Sequence, residues 1–279
     1  MTTTVLSAAS AIAETTSQRP MARVYIGRAH VMLERALMAF KTSSWLVVLS
    51  GFVEPVFYLA AFGYGLGHFV GNVHDGSGKP LAYAMFIAPA LLASSAMNGA
   101  IYDSTWNVFF KMHFARTYQA IMATSMGPLD VALGEIGACL CRGLAYAIGF
   151  MVVMFPLGLI GSAWGLLAIP AAVLIAFGFS ACGMAATSYC KSFQQLDWVS
   201  FAMLPMFLFS GTLFPLSVYP TAVRIIVEAL PLPHAIALTR GLCLGNLSWG
   251  LLGHAMYFVV MTVGGLYLTT RRLNALFLS

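Results

Sequence analysis

The chain has 279 residues, 60% of them hydrophobic and 8% charged, with a formal net charge of +5 and a mean hydropathy of +0.85. A soluble domain carries roughly 25% charged residues, so these values exclude an ordinary soluble enzyme and point to an integral membrane protein. The basic residues lie scattered between apolar runs, with no aromatic-interleaved patch, so no nucleic-acid partner is expected and the positive charge is a topology signal.

Residues 1–20 read as a flexible cytoplasmic tail; no basic region precedes their weak apolar run, so a cleaved signal peptide is not expected. Residues 21–43 form an amphipathic pattern. Tyr25, Ala29, Met32, Leu33, Ala36, Leu37 and Phe40 share one face at helical spacing, and Arg23, His30, Glu34 and Lys41 share the other. That is an interfacial helix along the cytoplasmic leaflet, or else a solvated lead-in. Residues 44–279 make a single transmembrane domain. A span needs about 20 mainly apolar residues, and six candidates follow, at about 45–67, 81–107, 131–156, 163–187, 196–213 and 249–270. The fold class is therefore an all-α membrane protein with six transmembrane helices. Arg19, Arg23, Arg28, Arg35, Lys41, Lys111, Arg116, Lys191, Arg271 and Arg272 fall on one side of that layout, and Lys79, Arg224 and Arg240 on the other. The excess places both termini in the cytoplasm of a multi-pass plasma-membrane protein.

Between the second and third spans lies a polar interlude, FARTYQAIMATSMGPLDVALGEI, from 114 to 136. Tyr118, Ile121, Met122 and Ser125 follow helical spacing, and Arg116, Thr117 and Gln119 supply polar groups. Gly127-Pro128 stops the helix, and Asp130 stands where the third span needs an N-cap. A short cytoplasmic helix of this kind serves either as a docking surface or as a connecting loop. On the outer side, TAVRIIVEAL (221–230) is too short to span. It carries an apolar stripe of Val223, Ile226, Val227 and Leu230, with Arg224 and Glu228 as an i,i+4 pair. A second short helix follows over 234–244. The two dip into the outer leaflet as re-entrant helices or skim it as a loop.

Arg116 through Thr124, Gly127-Pro128-Leu129-Asp130 and Leu133-Gly134-Glu135 together resemble the coupling-helix region of type-2 ABC exporter permeases. The most similar group is that of the nodulation-factor and daunorubicin-resistance permeases. Gln119 and Ser125 stand where that family has an acidic residue and a proline. Glu54-Pro55-Val56-Phe57-Tyr58-Leu59 with Phe62-Gly63-Tyr64-Gly65-Leu66-Gly67 is similar to the family's first span, Ser210 through Leu216 to the end of its fifth, and Arg271-Arg272-Leu273 to its C-terminal ending. The resemblance implies a permease subunit that moves an amphiphilic or lipid-linked substrate (drug, glycolipid or lipo-oligosaccharide) outward. It implies a dimer with a second copy or a sister permease, among membrane lipids, driven by two copies of a cytosolic ABC ATPase subunit. Arg116, Thr117, Tyr118, Gln119, Ile121, Met122 and Ser125 become the ATPase-coupling contacts, and Leu213, Phe214 and Pro215 the external gate. No cofactor is expected in this chain; ATP and Mg belong to the partner. The sequence agrees, because its only Gly-Lys pair, Gly78-Lys79, is followed by Pro80 and has Val73 where a Walker loop needs its first glycine.

Charged groups inside spans mark functional positions. Glu54 and Arg142 sit at similar depth and are expected to face the bundle interior and pair, directly or through water, beside or along the pathway. Asp103 and Glu135 read as solvated span ends. The cysteines at 139, 141, 182, 190 and 243 have no metal or disulfide spacing and read as apolar packing residues. An intramembrane serine protease built on Ser180 and His254 fails on depth, since their offset of about 13 Å at 1.5 Å per residue prevents a nucleophile–base contact. An ATPase-independent secondary transporter or channel is the remaining alternative; the chain shows no internal repeat of the kind such proteins carry.

Overall fold

The computed structural model describes residues 31–35, 38, 53–74, 80–124 and 126–277. The tail at 1–20, most of the interfacial helix, the start of the first span and Ser125 lie outside the described residues. The helices follow in chain order. A short α1 (31–35) precedes α2 (53–70), whose middle, Leu59–Leu66, is wound as a π-helix. Two three-residue strands come next, β1 (Asn72–His74) and β2 (Pro80–Ala82). They pair antiparallel in the register Asn72 to Ala82, Val73 to Leu81 and His74 to Pro80. Then follow α3 (Tyr83–His113), α4 (Thr117–Met122), α5 (Pro128–Met154) and α6 (Ala163–Tyr189, opening with a 3₁₀ turn). The last four are α7 (Phe193–Phe209), α8 (Thr221–Glu228), α9 (Pro231–Leu244) and α10 (Trp249–Phe277).

Among the described residues, α3, α5, α6 and α10 are long and apolar enough to cross a membrane. The α8–α9 pair, bent by 83°, makes a fifth span if it is counted as one broken helix. The six-span layout is thus shown only in part. Of the expected first span at 45–67, only residues 53–67 are described. The expected fifth ends at Phe209 as a helix of 17 residues, about 26 Å long at 1.5 Å per residue, because Ser210-Gly211 turns the chain there. The second span is longer than expected: α3 runs through a π-turn at Asp103–Asn107 and continues to His113.

Helix α3 is the most buried of the four long helices and α10 the least. Around α3 an apolar core gathers Leu91, Met97, Phe150, Ile175, Ile236 and Phe258. A smaller core at the α4 end holds Met112, Tyr118, Ile136, Met184 and Leu273. Without a strong hydrophobic drive between helices in lipid, close backbone approach must supply much of the packing. At Gly265 of α10 a Cβ would stand 2.7 Å from the backbone carbon of Ala181 and 2.8 Å from the backbone nitrogen of Cys182, so α10 and α6 meet nearly main chain to main chain. At Gly134 of α5 a Cβ would run into Met32 Cβ, which seats α1 across α5.

Candidate functional site

The polar features of α3 and α5 converge at the end of the bundle that carries α4. Pro128 opens α5 as its first residue, where a missing N–H does no harm. Asp130 is not the N-cap but the third helical residue, and its Oδ2 accepts from Gly127 N at 3.2 Å. This half of a capping box fixes where α5 leaves the α4 turn. At the other end of α4, Arg116 has φ +47° and ψ +28°, the single non-glycine residue with positive φ among those described. A left-handed residue of this kind costs about 1–2 kcal/mol, and it turns the chain sharply from α3 into α4.

Helix α4 presents two faces. Tyr118 is wholly buried against Met112, Val131, Ile136 and Leu273. Its hydroxyl is buried within reach of the Glu135 carboxylate, though without a well-formed hydrogen bond to it. Burial first, and then Glu135, raise the hydroxyl well above the ordinary phenol range, with Arg35 of α1 acting in the opposite sense. Tyr118 is therefore a neutral peg. Gln119, Ala120, Ala123 and Thr124 are exposed, as is Arg116, while Thr117, Ile121 and Met122 are half-buried. The expected coupling residues thus divide into an anchor, Tyr118, and an accessible surface centred on Gln119.

Directly beneath the peg, α3 and α5 run antiparallel and carry two ion pairs. Lys111 Nζ lies 2.6 Å from Glu135 Oε2, and Arg142 Nε lies 2.8 Å from Asp103 Oδ2. Eight residues separate the α3 members and seven the α5 members, so both pairs fit one antiparallel register. The charge sign is reversed between rungs. This corrects the sequence expectation twice. The partner of Arg142 is Asp103, not Glu54. Asp103 and Glu135 are buried rather than solvated, because α3 does not end at 107 and its last two turns carry Lys111 up to Glu135. The π-turn at Asp103–Asn107 sits at the inner rung, and Thr105 Oγ1 donates to Ile101 O at 2.6 Å within it. Such turns are rare and frequent at functional sites.

Arg142 also lines a cavity of 680 Å³, open on one side, between α2, α3, α5 and α7. Glu54, Asn98, Tyr146, Ser200 and Phe207 share its wall. Glu54 and Arg142 therefore face one common space, and among the described residues no direct ion pair joins them. At the opposite end, Leu213 O accepts from Tyr83 Oη at 2.9 Å, and Phe214 is exposed beside the Tyr219 ring. Arg224 and Glu228 form the expected pair on α8, Nε to Oε1 at 2.6 Å. Ser180 and His254 are not brought together: His254 Nδ1 lies 2.8 Å from His234 Nδ1 on α9. Among the described residues no group of three or more His, Cys, Asp or Glu side chains could hold a metal ion.

Residues 28–244 match the ABC-2 type transporter family. The chain belongs to that family. Its relatives include Nodulation protein J of Rhizobium leguminosarum bv. viciae, 30% identical over 213 residues, covering 76% of this chain and 80% of the relative. The protein of the same name from Sinorhizobium fredii is 28% identical over 246 residues, with 88% and 92% covered. That from Rhizobium meliloti is 29% identical over 213 residues, with 76% and 79% covered. As an ABC-2 protein the chain is a multi-pass membrane subunit of an ABC transporter, not itself catalytic, and its family implies association with an ABC ATPase subunit. The ABC-2 match spans α4, both ion pairs and the residues that line the cavity.

Proposed function

We propose that this chain is the pathway subunit of an ATP-driven exporter, and that α4 is where an ATPase on another polypeptide applies force. The observation that carries the reading is the division of α4 into a buried peg and an exposed surface directly above two buried ion pairs. A connecting loop needs no tyrosine sunk to zero exposure between three long helices. A lever does, because a displacement of the surface at Gln119 must reach the helices behind it without being absorbed. Tyr118 passes that displacement to α3 and α5, whose relative slide is resisted by the Lys111–Glu135 and Asp103–Arg142 pairs. Arg142 carries it to the cavity wall.

In this reading six spans, including 45–67 and 196–213, make half of a complex that is completed by a second permease and two ATPase copies. Both termini face the cytoplasm, on the basic-residue excess. The α8–α9 pair is re-entrant from the outer leaflet, and Leu213, Phe214 and Pro215 close the outer end of the pathway. The cavity wall mixes carboxylate, guanidinium, amide and aromatic groups and is not fully enclosed. That suits the polar head of an amphiphilic or lipid-linked substrate whose tail stays in the bilayer. Export from inner leaflet or cytoplasm is tested in proteoliposomes holding the permease alone, with its ATPase, or with an ATPase whose Walker lysine is replaced. Transport only with the intact ATPase supports the reading; equal transport by the permease alone refutes it and establishes a secondary transporter.

A further inference from the structure

At the end of the molecule away from α4, one cation joins three elements. Arg240 lies in α9, with its guanidinium carbon 3.8 Å from the centroid of the Phe86 ring. Its Nε donates to Phe86 O at 3.3 Å on α3, and its Nη2 donates to Gly211 O at 3.1 Å, just beyond the end of α7. Both acceptors are backbone carbonyls. Pro89 removes an N–H from the early turns of α3, which leaves Met85 O, next to Phe86, without its helical donor, and the neighbouring Thr239 Oγ1 donates to Pro89 O at 2.9 Å in the same stretch. Gly211 has φ +79°, the left-handed geometry by which the chain leaves α7, so its carbonyl has no next helical turn to bond.

The turn that Arg240 holds is not otherwise at ease. Ser210 Oγ and Thr212 Oγ1, on either side of Gly211, are buried and have no hydrogen-bond partner among the described residues. Buried hydroxyls without partners favour any state that hydrates them. Against that tendency stand the Arg240 bond to Gly211 O and the Tyr83 bond to Leu213 O. The closed turn is thus a balance between two unsatisfied hydroxyls and two tethers, the stronger of them charged.

We infer that Arg240 is the positioning residue of the outer gate: it clamps the 210–214 turn to α3 and α9, and the pathway opens outward only when it releases Gly211. This inference rests on the proposed gate at Leu213, Phe214 and Pro215. Lysine is not an equivalent, because a single ammonium cannot stack on Phe86 and bond two carbonyls set apart like a guanidinium fork.

The test uses the assembled permease–ATPase complex in proteoliposomes, with Thr212→Cys as a near-isosteric reporter and the same complex lacking it as blank. A membrane-impermeant maleimide is applied from the outer side, at rest and during ATP turnover. In the otherwise unaltered complex the reporter labels slowly at rest and faster during turnover. With Arg240→Met it labels at rest at least about tenfold faster, the population change expected for losing one charge-assisted hydrogen bond, and turnover adds little. Arg240→Lys lies between. If turnover does not accelerate labelling in the unaltered complex, the gate itself is misplaced and this inference goes with it. If turnover does accelerate it but both Arg240 variants rest at the unaltered rate, the gate stands and the role of Arg240 is overturned. An Arg240→Lys complex that fails to assemble also overturns it, by assigning Arg240 to the fold instead.

Discussion

Replacing Arg142 by methionine and Asp103 by asparagine, singly and together, tests whether the inner ion pair is a stabilising rung between α3 and α5. The two charged atoms are 2.8 Å apart, and the side chains are 16% and 8% exposed, so solvent screening is modest. At an effective dielectric constant of 20, unit charges at that distance attract by about 6 kcal/mol before desolvation is counted. Desolvation offsets most of that, so the intact pair contributes little against an apolar substitute, whereas removing one partner leaves a buried charge and costs about 3–5 kcal/mol. For a chain of this size that is a fall in melting temperature of roughly 6–20 °C for each single change. The double change removes both charges and should recover at least about 2 kcal/mol relative to the sum of the singles. Thermal unfolding of the purified permease in detergent, across all four members of the cycle, reads these values directly. Additive effects, or two harmless singles, would refute the claim that Asp103 and Arg142 form one unit.

Further outcomes follow from the packing. Gly265→Ala should lower the melting temperature, because overpacking against the Ala181–Cys182 backbone costs about 1–3 kcal/mol. Gly264→Ala, with nothing within 4 Å of its added Cβ, should leave it unchanged in the same melt. Gly134→Ala should destabilise by displacing α1, since its added Cβ would run into Met32 Cβ itself. Tyr118→Phe should change the melting temperature little, because the hydroxyl it removes is buried without a well-formed hydrogen bond. Gln119→Lys, which puts a cation where the family has an acidic residue, should leave the melting temperature of the isolated permease unchanged, since Gln119 is exposed, while lowering ATP-driven transport.

The membrane class, the interlude between two spans and the Arg224–Glu228 pair were legible because each depends on composition or on spacing within one helix. The partners of Arg142 and Glu135 were not. Hydropathy ended the second span near Asn107, because Lys111 and His113 read as water-exposed loop. In the fold, Lys111 is bonded to a carboxylate on the next long helix, and the span continues past it. The two spacings, eight residues from Asp103 to Lys111 and seven from Glu135 to Arg142, were a usable signal for an antiparallel register. Tyr118, Ile121 and Met122 were read as a surface for a partner. An apolar stripe on a short helix buries inward whenever a neighbouring groove accepts it, and here Tyr118 fills such a groove. The paired strands at 72–74 and 80–82 left no trace, since three-residue strands are too short to show alternation. The His234–His254 contact depends on where α9 meets α10, which no local pattern encodes.

The central claim is that α4 receives force from an ATPase on another chain. It is tested most directly by placing a photo-crosslinkable residue at Gln119 in the assembled complex and following crosslinks through the nucleotide cycle. The expected outcome is a product with the ATPase subunit whose yield changes between nucleotide-free and ATP-bound states. A complex that hydrolyses ATP and transports substrate with no crosslink from that surface in any nucleotide state would contradict it.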